Sequence, residues 1–297
     1  MKGWILSHLE NSPSIALLLE ACGVQGHRVD LVPPKDCRVE LWGDRPPRAA
    51  STDIVPDFVI TRLGSTAPAS ALAVVRALEH ARVPCVNDAA SLERSRDKIR
   101  MAQELAALAI PMPASLVPNR ASRAADALDQ LGGAPVIVKL ARGSKGAGIM
   151  LCESQAALQS VMGMLWSLDE EFFLQRAVQE SFGVDVRVLV LEGRAVAAMR
   201  RSSTNGDFRA NLHGGGIAAA LAPSRDQCHI AEMAAARLGL AVAGIDLLDS
   251  ASEGPLLIEV NGSPGLAGLS SATGRDLAGD IVYLVKKAVS SSVASAA

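Results

Sequence analysis

Short apolar runs and amphipathic stretches alternate along the first ninety residues, and their order sets the expected architecture. Trp4-Ile5-Leu6 reads as a strand. Ser12-Pro13 then opens a helix with a capping hydroxyl and a proline at the first position, and Gly23 is expected to close it. Residues 29–32 and 57–60 are further strands, 69–80 a second helix and 84–87 a last short strand. Such alternation predicts a small parallel sheet. The segment 33–56 is polar and proline-rich, a surface excursion with a short strand at Val39-Glu40-Leu41.

A single helix is expected over 95–108, followed by a proline-marked linker at Ile110-Pro111-Met112-Pro113. Residues 136–140 and 148–151 are strands on either side of a glycine-rich loop, 154–164 a helix and 172–175 a strand. Strands at 184–191 and 195–200 meet at the tight turn Glu192-Gly193. Helices at 226–238 and 276–289 follow, and the small polar residues from 290 onward are expected to fray.

Two late strands carry the chemistry. Gly244-Ile245-Asp246-Leu247-Leu248 and Leu257-Ile258-Glu259-Val260-Asn261 are apolar runs interrupted by acids and one amide, with turn-forming residues between them. Residues two apart on a strand share a face, so pairing would collect Asp246, Glu259 and Asn261 as hard oxygen ligands suited to magnesium. A solvated hairpin face is the alternative. In the loop Arg142-Gly143-Ser144-Lys145-Gly146-Ala147-Gly148, glycines and donors could cradle a phosphate, although the spacing fits neither a P-loop nor a dinucleotide fingerprint. A flexible hairpin would have the same composition. Lys139, inside Val136-Ile137-Val138, would be costly to bury without an anion, unless it snorkels to water from a strand edge. Asp185 and Arg187 share a strand face and could pair with each other. Arg201 ends the next strand, and Arg209, Asn211 and His213 follow in a glycine-containing loop, with a packing role expected for His213.

Composition narrows the setting. A length of 297 residues allows about two domains. The net charge of −2, with no like-charge block, argues against nucleic acid or an anionic membrane as partner. Five dispersed cysteines without a CxxC argue against disulfides and thiolate zinc, and no run reaches membrane-spanning length. A cytoplasmic protein is therefore expected. An NAD enzyme is disfavoured because the first strand–helix turn lacks a glycine fingerprint.

Taken in order, Ser95-Arg96-Asp97-Lys98, Val138-Lys139-Leu140 with its loop, Gly206 through His213, Glu259 through Leu266 and Ala272 through Gly279 form a series. The chain resembles the RimK-type branch of the ATP-grasp carboxylate–amine ligases over residues 95–289. The resemblance implies an α/β domain at 1–94, then two α+β subdomains gripping ATP at 95–175 and 176–290, with a flexible tail at 291–297. It implies Lys98, Lys139, Gly143, Ser144 and Gly146 at the phosphates, Arg176 and Ala177 at adenine, and Asp185 at the ribose. Arg209 and Asn211 would lie near the phosphates, and Asp246, Glu259 and Asn261 would bind magnesium, with manganese as a substitute ion. Arg209 and Arg201 would stabilise charge during catalysis. One departure is clear: the family usually has Gln-Glu-aromatic at the hinge, and this chain has Gln175-Arg176-Ala177. The implied activity is ATP-dependent amide formation through an acyl phosphate, joining L-glutamate to a carboxylate acceptor. The absence of a basic tract leans toward a small pterin-like coenzyme over a ribosomal-protein tail or a carrier protein. Self-association is compatible with this family, and a non-catalytic nucleotide-binding protein on the same fold is the competing expectation.

Overall fold

The computed structural model describes the chain except residues 10, 44, 51–54, 144–147, 211–214 and 297, and except the side chains of 45–47, 50 and 291–296. The first unit runs β1 (Lys2–Ser7), α1 (Pro13–Val24), β2 (Arg28–Val32), β3 (Arg38–Trp42), β4 (Arg45–Ala50), β5 (Phe58–Arg62), α2 (Ala69–His80) and β6 (Cys85–Val86). Its parallel sheet has the order β2-β1-β5-β6, with β3 and β4 paired separately as an antiparallel hairpin. Strand β4 was not visible in the sequence, because Pro46-Pro47 reads as a breaker and prolines enter sheets mainly at edges. Helix α1 runs past Gly23, and the left-handed residue that follows the helix is Gly26, with φ +74°.

The single helix expected over 95–108 is in fact two. Helix α3 (Ala89–Arg96) ends at Asp97, and α4 (Lys98–Ala106) starts one residue later. Asp97 is extended, and its carboxylate accepts the Ile99 and Arg100 N–H groups, an N-cap inside what the periodicity presents as one helix. The break puts Lys98 at the first helical position, turned into the protein rather than along a solvated face.

The middle of the chain forms β7 (Ser115–Leu116), α5 (Ala124–Leu131), β8 (Val136–Leu140), β9 (Ile149–Cys152), α6 (Gln155–Ser167) and β10 (Phe172–Arg176), an antiparallel sheet of order β7-β10-β8-β9. The rest comprises β11 (Val184–Leu191), β12 (Arg194–Ser202), β13 (Ile217–Ala220), α7 (Arg225–Leu238), β14 (Val242–Ser250), β15 (Gly254–Asn261), α8 (Ala267–Thr273) and α9 (Leu277–Ala296), around a sheet of order β13-β12-β11-β14-β15. Segments β7, β13, α5 and α8 gave no clear period because they are short and several are alanine-rich.

The packing divides unevenly. One core joins β1, β5 and α1 of the first unit to β11, β12, α8 and α9 of the last through residues such as Ile5, Leu18, Phe58, Leu189, Leu266 and Val282. The middle sheet instead has its own core, with Leu128, Val138, Leu158, Met162 and Leu174 packed between α5, α6 and the strands. Its hydrogen bonds to the other two units include the Lys98 N–H to Ala141 O and Lys139 Nζ to Ile258 O. Shared apolar burial makes the outer units one body, whereas a separately cored sheet held by hydrogen bonds opens at lower free energy.

Asn87 fastens the base. Its buried side chain donates to Val242 O and Gly262 O, both at 2.7 Å, and accepts the Val242 N–H at 2.8 Å. Asn87→Ala strands buried backbone groups that each cost about 1–3 kcal/mol when left unpaired, so a loss of about 2–4 kcal/mol is expected from urea unfolding.

Candidate active site

A bulge in β15 decides which side chains reach the cleft. Asp246 pairs with Glu259 and Leu247 with Leu257, so Ile258 is the extra residue. The bulge reverses the alternation there. Leu257 and Val260 both enter the core beneath the sheet, while Glu259 and Asn261 share the opposite face with Asp246. It also leaves the Ile258 carbonyl outside the ladder, where it accepts from Lys139 Nζ at 3.4 Å. On this face of the large sheet, Leu189, Ala197, Met199 and Val242 pack into the shared core. Toward the middle sheet the same face becomes charged.

That charged end is a network of buried ions. Arg187 is bidentate to Asp246, with Nε–Oδ1 and Nη2–Oδ2 both at 2.7 Å. Arg201 is bidentate to Asp185, both contacts 2.6 Å, and also lies 3.0 Å from Asp246 Oδ2. Asp185 and Arg187 thus do not pair with each other. Neighbours two apart on one strand are about 7 Å apart, whereas directly opposed cross-strand residues lie about 5 Å apart. The register places Asp185 opposite Arg201 and Arg187 opposite Asp246. Burial opposes the charge on Asp246, but Arg187 and Arg201 outweigh it and hold the carboxyl below the usual carboxylate range. Asp185 is pushed up to about 6 by burial and by the Asp246 charge, with Arg201 working the other way.

Across from this row stand two buried lysines. Lys139 is 6% exposed on β8, an interior strand of the middle sheet, so the snorkelling alternative is excluded. Burial pushes it down to about 8, while Glu259 pulls upward. Lys98, also 6% exposed, donates to Gly143 O at 2.7 Å and lies 3.9 Å from Glu259 Oε1. Its burial exceeds what a helix-face lysine suggested. Gly143 is further held by Ser65 Oγ at 2.9 Å, tying the start of the glycine-rich loop to the first unit. Ser144, Gly146, Asn211 and His213 lie outside the described residues.

At the hinge, the Arg176 N–H donates to Ala114 O at 2.8 Å and the side chain turns away to an ion pair with Glu253. Ala177 is buried beside it. Arg209 is paired with Asp207, Nη2–Oδ2 at 2.7 Å, and stacks 5.4 Å from the Phe208 ring centroid. It lines an open cavity of about 770 Å³ between Leu151 and Glu153 of the middle sheet and Phe182, Gly183 and Asn205 of the large one. Arg201, in contrast, is buried and paired with two aspartates, Asp185 and Asp246.

The donor set fits magnesium. That ion binds one or two carboxylates and keeps positions for water and phosphate. Glu259 remains 31% exposed at its side chain, and Asn261 beside it has a carbonyl oxygen to offer an ion, while its buried Nδ2, which has no partner, is left to donate to a phosphate oxygen.

A parallel-sheet unit followed by two sheets facing across a cleft, with lysines on one wall and acids on the other, is the architecture of an ATP-grasp ligase. Residues 1–92 match the RimK PreATP-grasp domain and residues 95–285 the RimK-like ATP-grasp domain, and the chain belongs to that family of ATP-dependent ligases. A probable alpha-L-glutamate ligase of Vibrio cholerae serotype O1 is 38% identical over 289 residues, 97% of this chain and 96% of that one. One from Shewanella loihica is 37% identical, covering 95% and 94%. Among solved structures, D-cycloserine synthetase DcsG superposes with a TM-score of 0.73 at 18% identity, covering 97% of this chain and all of that one. The ATP-grasp ligase PsnB, complexed with a minimal precursor, Mg and ADP, gives 0.74 at 18% identity, covering 97% of both chains. Among the described residues no helix is long and apolar enough to cross a membrane.

Proposed function

We propose that this protein joins L-glutamate to a carboxylate acceptor, using ATP and forming ADP through an acyl phosphate. The observation that carries the reading is the oxygen row Asp246, Glu259 and Asn261 facing Lys139 and Lys98 across a cleft whose far wall is separately cored. The glutamate ligases named among the relatives support the amino acid.

In this reading Lys139 and Lys98 hold the triphosphate, and Gly143, Ser144 and Gly146 cover it so that water is kept from the acyl phosphate. The Arg176 N–H is already spent on Ala114, so the Ala177 N–H and the hinge carbonyls are left for adenine. Asp185 keeps lone pairs for ribose hydroxyls while it orients Arg201. Asp246, Glu259 and Asn261 would hold magnesium, which neutralises phosphate charge when bound. Arg187 and Arg201 fix the Asp246 carboxylate in place. Arg209, with Asn211 two residues on, offers the cation nearest open space for charge developing on the acyl group. The acceptor carboxylate attacks the γ-phosphorus, the ADP oxygen leaves, and the glutamate amine then displaces phosphate from the acyl carbon. A small coenzyme such as a tetrahydromethanopterin-like pterin is our favoured acceptor, on the ground that no basic tract is present to hold a long acidic tail. We place the reaction in the cytoplasm.

ADP release should require both glutamate and one member of a panel of carboxylate acceptors. ADP formed equally well with every acceptor withheld would remove the ligase reading.

The Lys139 shift gives a pH signature. The free protein binds a proton at Lys139 only below about 8, and a triphosphate beside the ammonium raises that value. Nucleotide affinity is therefore constant below pH 8 and falls as pH rises above it, with one proton taken up per nucleotide in that range. Calorimetry in buffers of different ionisation enthalpy at pH 8.5 reads the uptake directly, and Lys139→Met should abolish it. For folding the sign differs. A lysine depressed from 10.5 to about 8 destabilises the free protein below pH 8, and that penalty is relieved as pH rises toward 10.5.

A further inference from the structure

Arg62 is a buried cation that none of the assignments above uses. It is 8% exposed at the end of β5, directly opposite Ser7, the last residue of β1. One donor, Nη2, reaches Pro264 O at 2.5 Å. Among the described residues the other guanidinium N–H groups have no protein acceptor. Burial alone lowers the group to about 10, with no neighbouring acid opposing the shift. Arg201, buried in the large sheet, and Arg187, half-buried beside it, are each matched by carboxylates. An uncompensated buried charge costs several kcal/mol, by order of magnitude, and persists only where something outside the chain offsets it.

Its position says what that something meets. The chain leaves β1 for β2 on one side and reaches β5 on the other, so the crevice beyond the carboxyl ends of β1 and β5 is the topological switch point of the parallel sheet. In open parallel sheets ligands bind in that crevice. Here it opens toward the reaction centre, since Pro264 lies three residues past Asn261 and Ser65, three past Arg62, holds Gly143. Arg96 donates to Ser65 O at 3.3 Å and to Ala67 O, close enough to Arg142 for the two cations to repel. The mouth is therefore positive and wants an anion.

We propose that Arg62 anchors a substrate carboxylate that does not react, holding it at the switch point while the reacting groups meet beside Asn261. The inference rests on the ligase reading above, because glutamate brings two spectator carboxylates and an acidic acceptor brings more. A planar guanidinium with free adjacent donors grips a carboxylate in a fork that an amide or ammonium cannot match.

The test uses the full chain loaded with magnesium and a non-hydrolysable ATP analogue, titrated with L-glutamate, L-glutamine and γ-aminobutyrate. Arg62→Gln should weaken one substrate about 10- to 100-fold, the loss of a charge-assisted hydrogen-bonded pair, and leave the nucleotide analogue unaffected. If glutamate weakens, the amino acid is the source, and the analogue whose affinity the substitution no longer changes lacks the carboxylate that Arg62 holds. If glutamate affinity holds and, with ATP in place of the analogue, the KM for the carboxylate acceptor that supports ADP release rises instead, the acceptor is the source. Should neither move, the inference is overturned. Arg62→Lys keeps the charge, loses the fork and carries the test if the glutamine variant fails to fold. A parent enzyme that releases ADP but makes no glutamyl product would remove glutamate from the proposed function, while Arg62-dependent carboxylate binding would stand by itself.

Discussion

Glu259→Gln should lower acceptor-dependent ADP release about a thousandfold and leave the fold intact. Glu259 faces Asp246 across the β14–β15 ladder and is the carboxylate of the oxygen row that stays partly exposed. Metal stabilisation of phosphoryl charge is worth several kcal/mol, and each 1.36 kcal/mol is about tenfold in rate. The substitution keeps shape and one acceptor oxygen but removes the charge, so the loss should fall on kcat more than on KM for the acceptor. Raising magnesium should recover part of the rate, since the weakened site is refilled by mass action. Turnover equal to the parent's at every magnesium concentration would remove Glu259 from the metal site.

Arg201→Leu should be the most destabilising change at the site, by about 3–5 kcal/mol, because removing one partner of a buried ion pair leaves an uncompensated charge. Asp185 would then face the Asp246 charge with no bonded cation of its own, while Arg187 stays paired with Asp246. The sign with pH follows from the groups that remain. Without Arg201 the Asp185 carboxyl, already raised by burial and by the Asp246 charge, loses its cationic partner and rises further, so the variant binds a proton more tightly when folded than when unfolded. Its stability deficit should therefore shrink as pH falls toward the unfolded carboxylate values near 4. Urea unfolding at pH 7.5 and pH 5 reads both effects. A variant as stable as the parent at both values would show that the network is not what holds this face.

Much of the site was legible because strand alternation is a short-range rule. The acid and amide in apolar runs around a turn predicted a hairpin, and the hairpin formed with Asp246 opposite Glu259. What the sequence could not display was the bulge at Ile258, which makes the alternation come out with Leu257 below and Glu259 above. Lys98 looked like an ordinary helix-face lysine until Asp97 broke the helix and turned it inward. The ion pairs were mis-seen for a related reason: partners across strands depend on register, which no local pattern fixes. Arg62 carried no signal at all. A lone arginine ending a strand becomes notable only when a turn two hundred residues away meets it and no acid does.

An acyl phosphate route sends one oxygen of the acceptor carboxylate into the released phosphate. An acceptor labelled with ¹⁸O in its carboxylate, incubated with ATP, magnesium, L-glutamate and this protein, should yield a product heavier by one glutamyl residue, with one label per turnover found in the released phosphate. Phosphate carrying no label, with glutamate absent from every product, would contradict it.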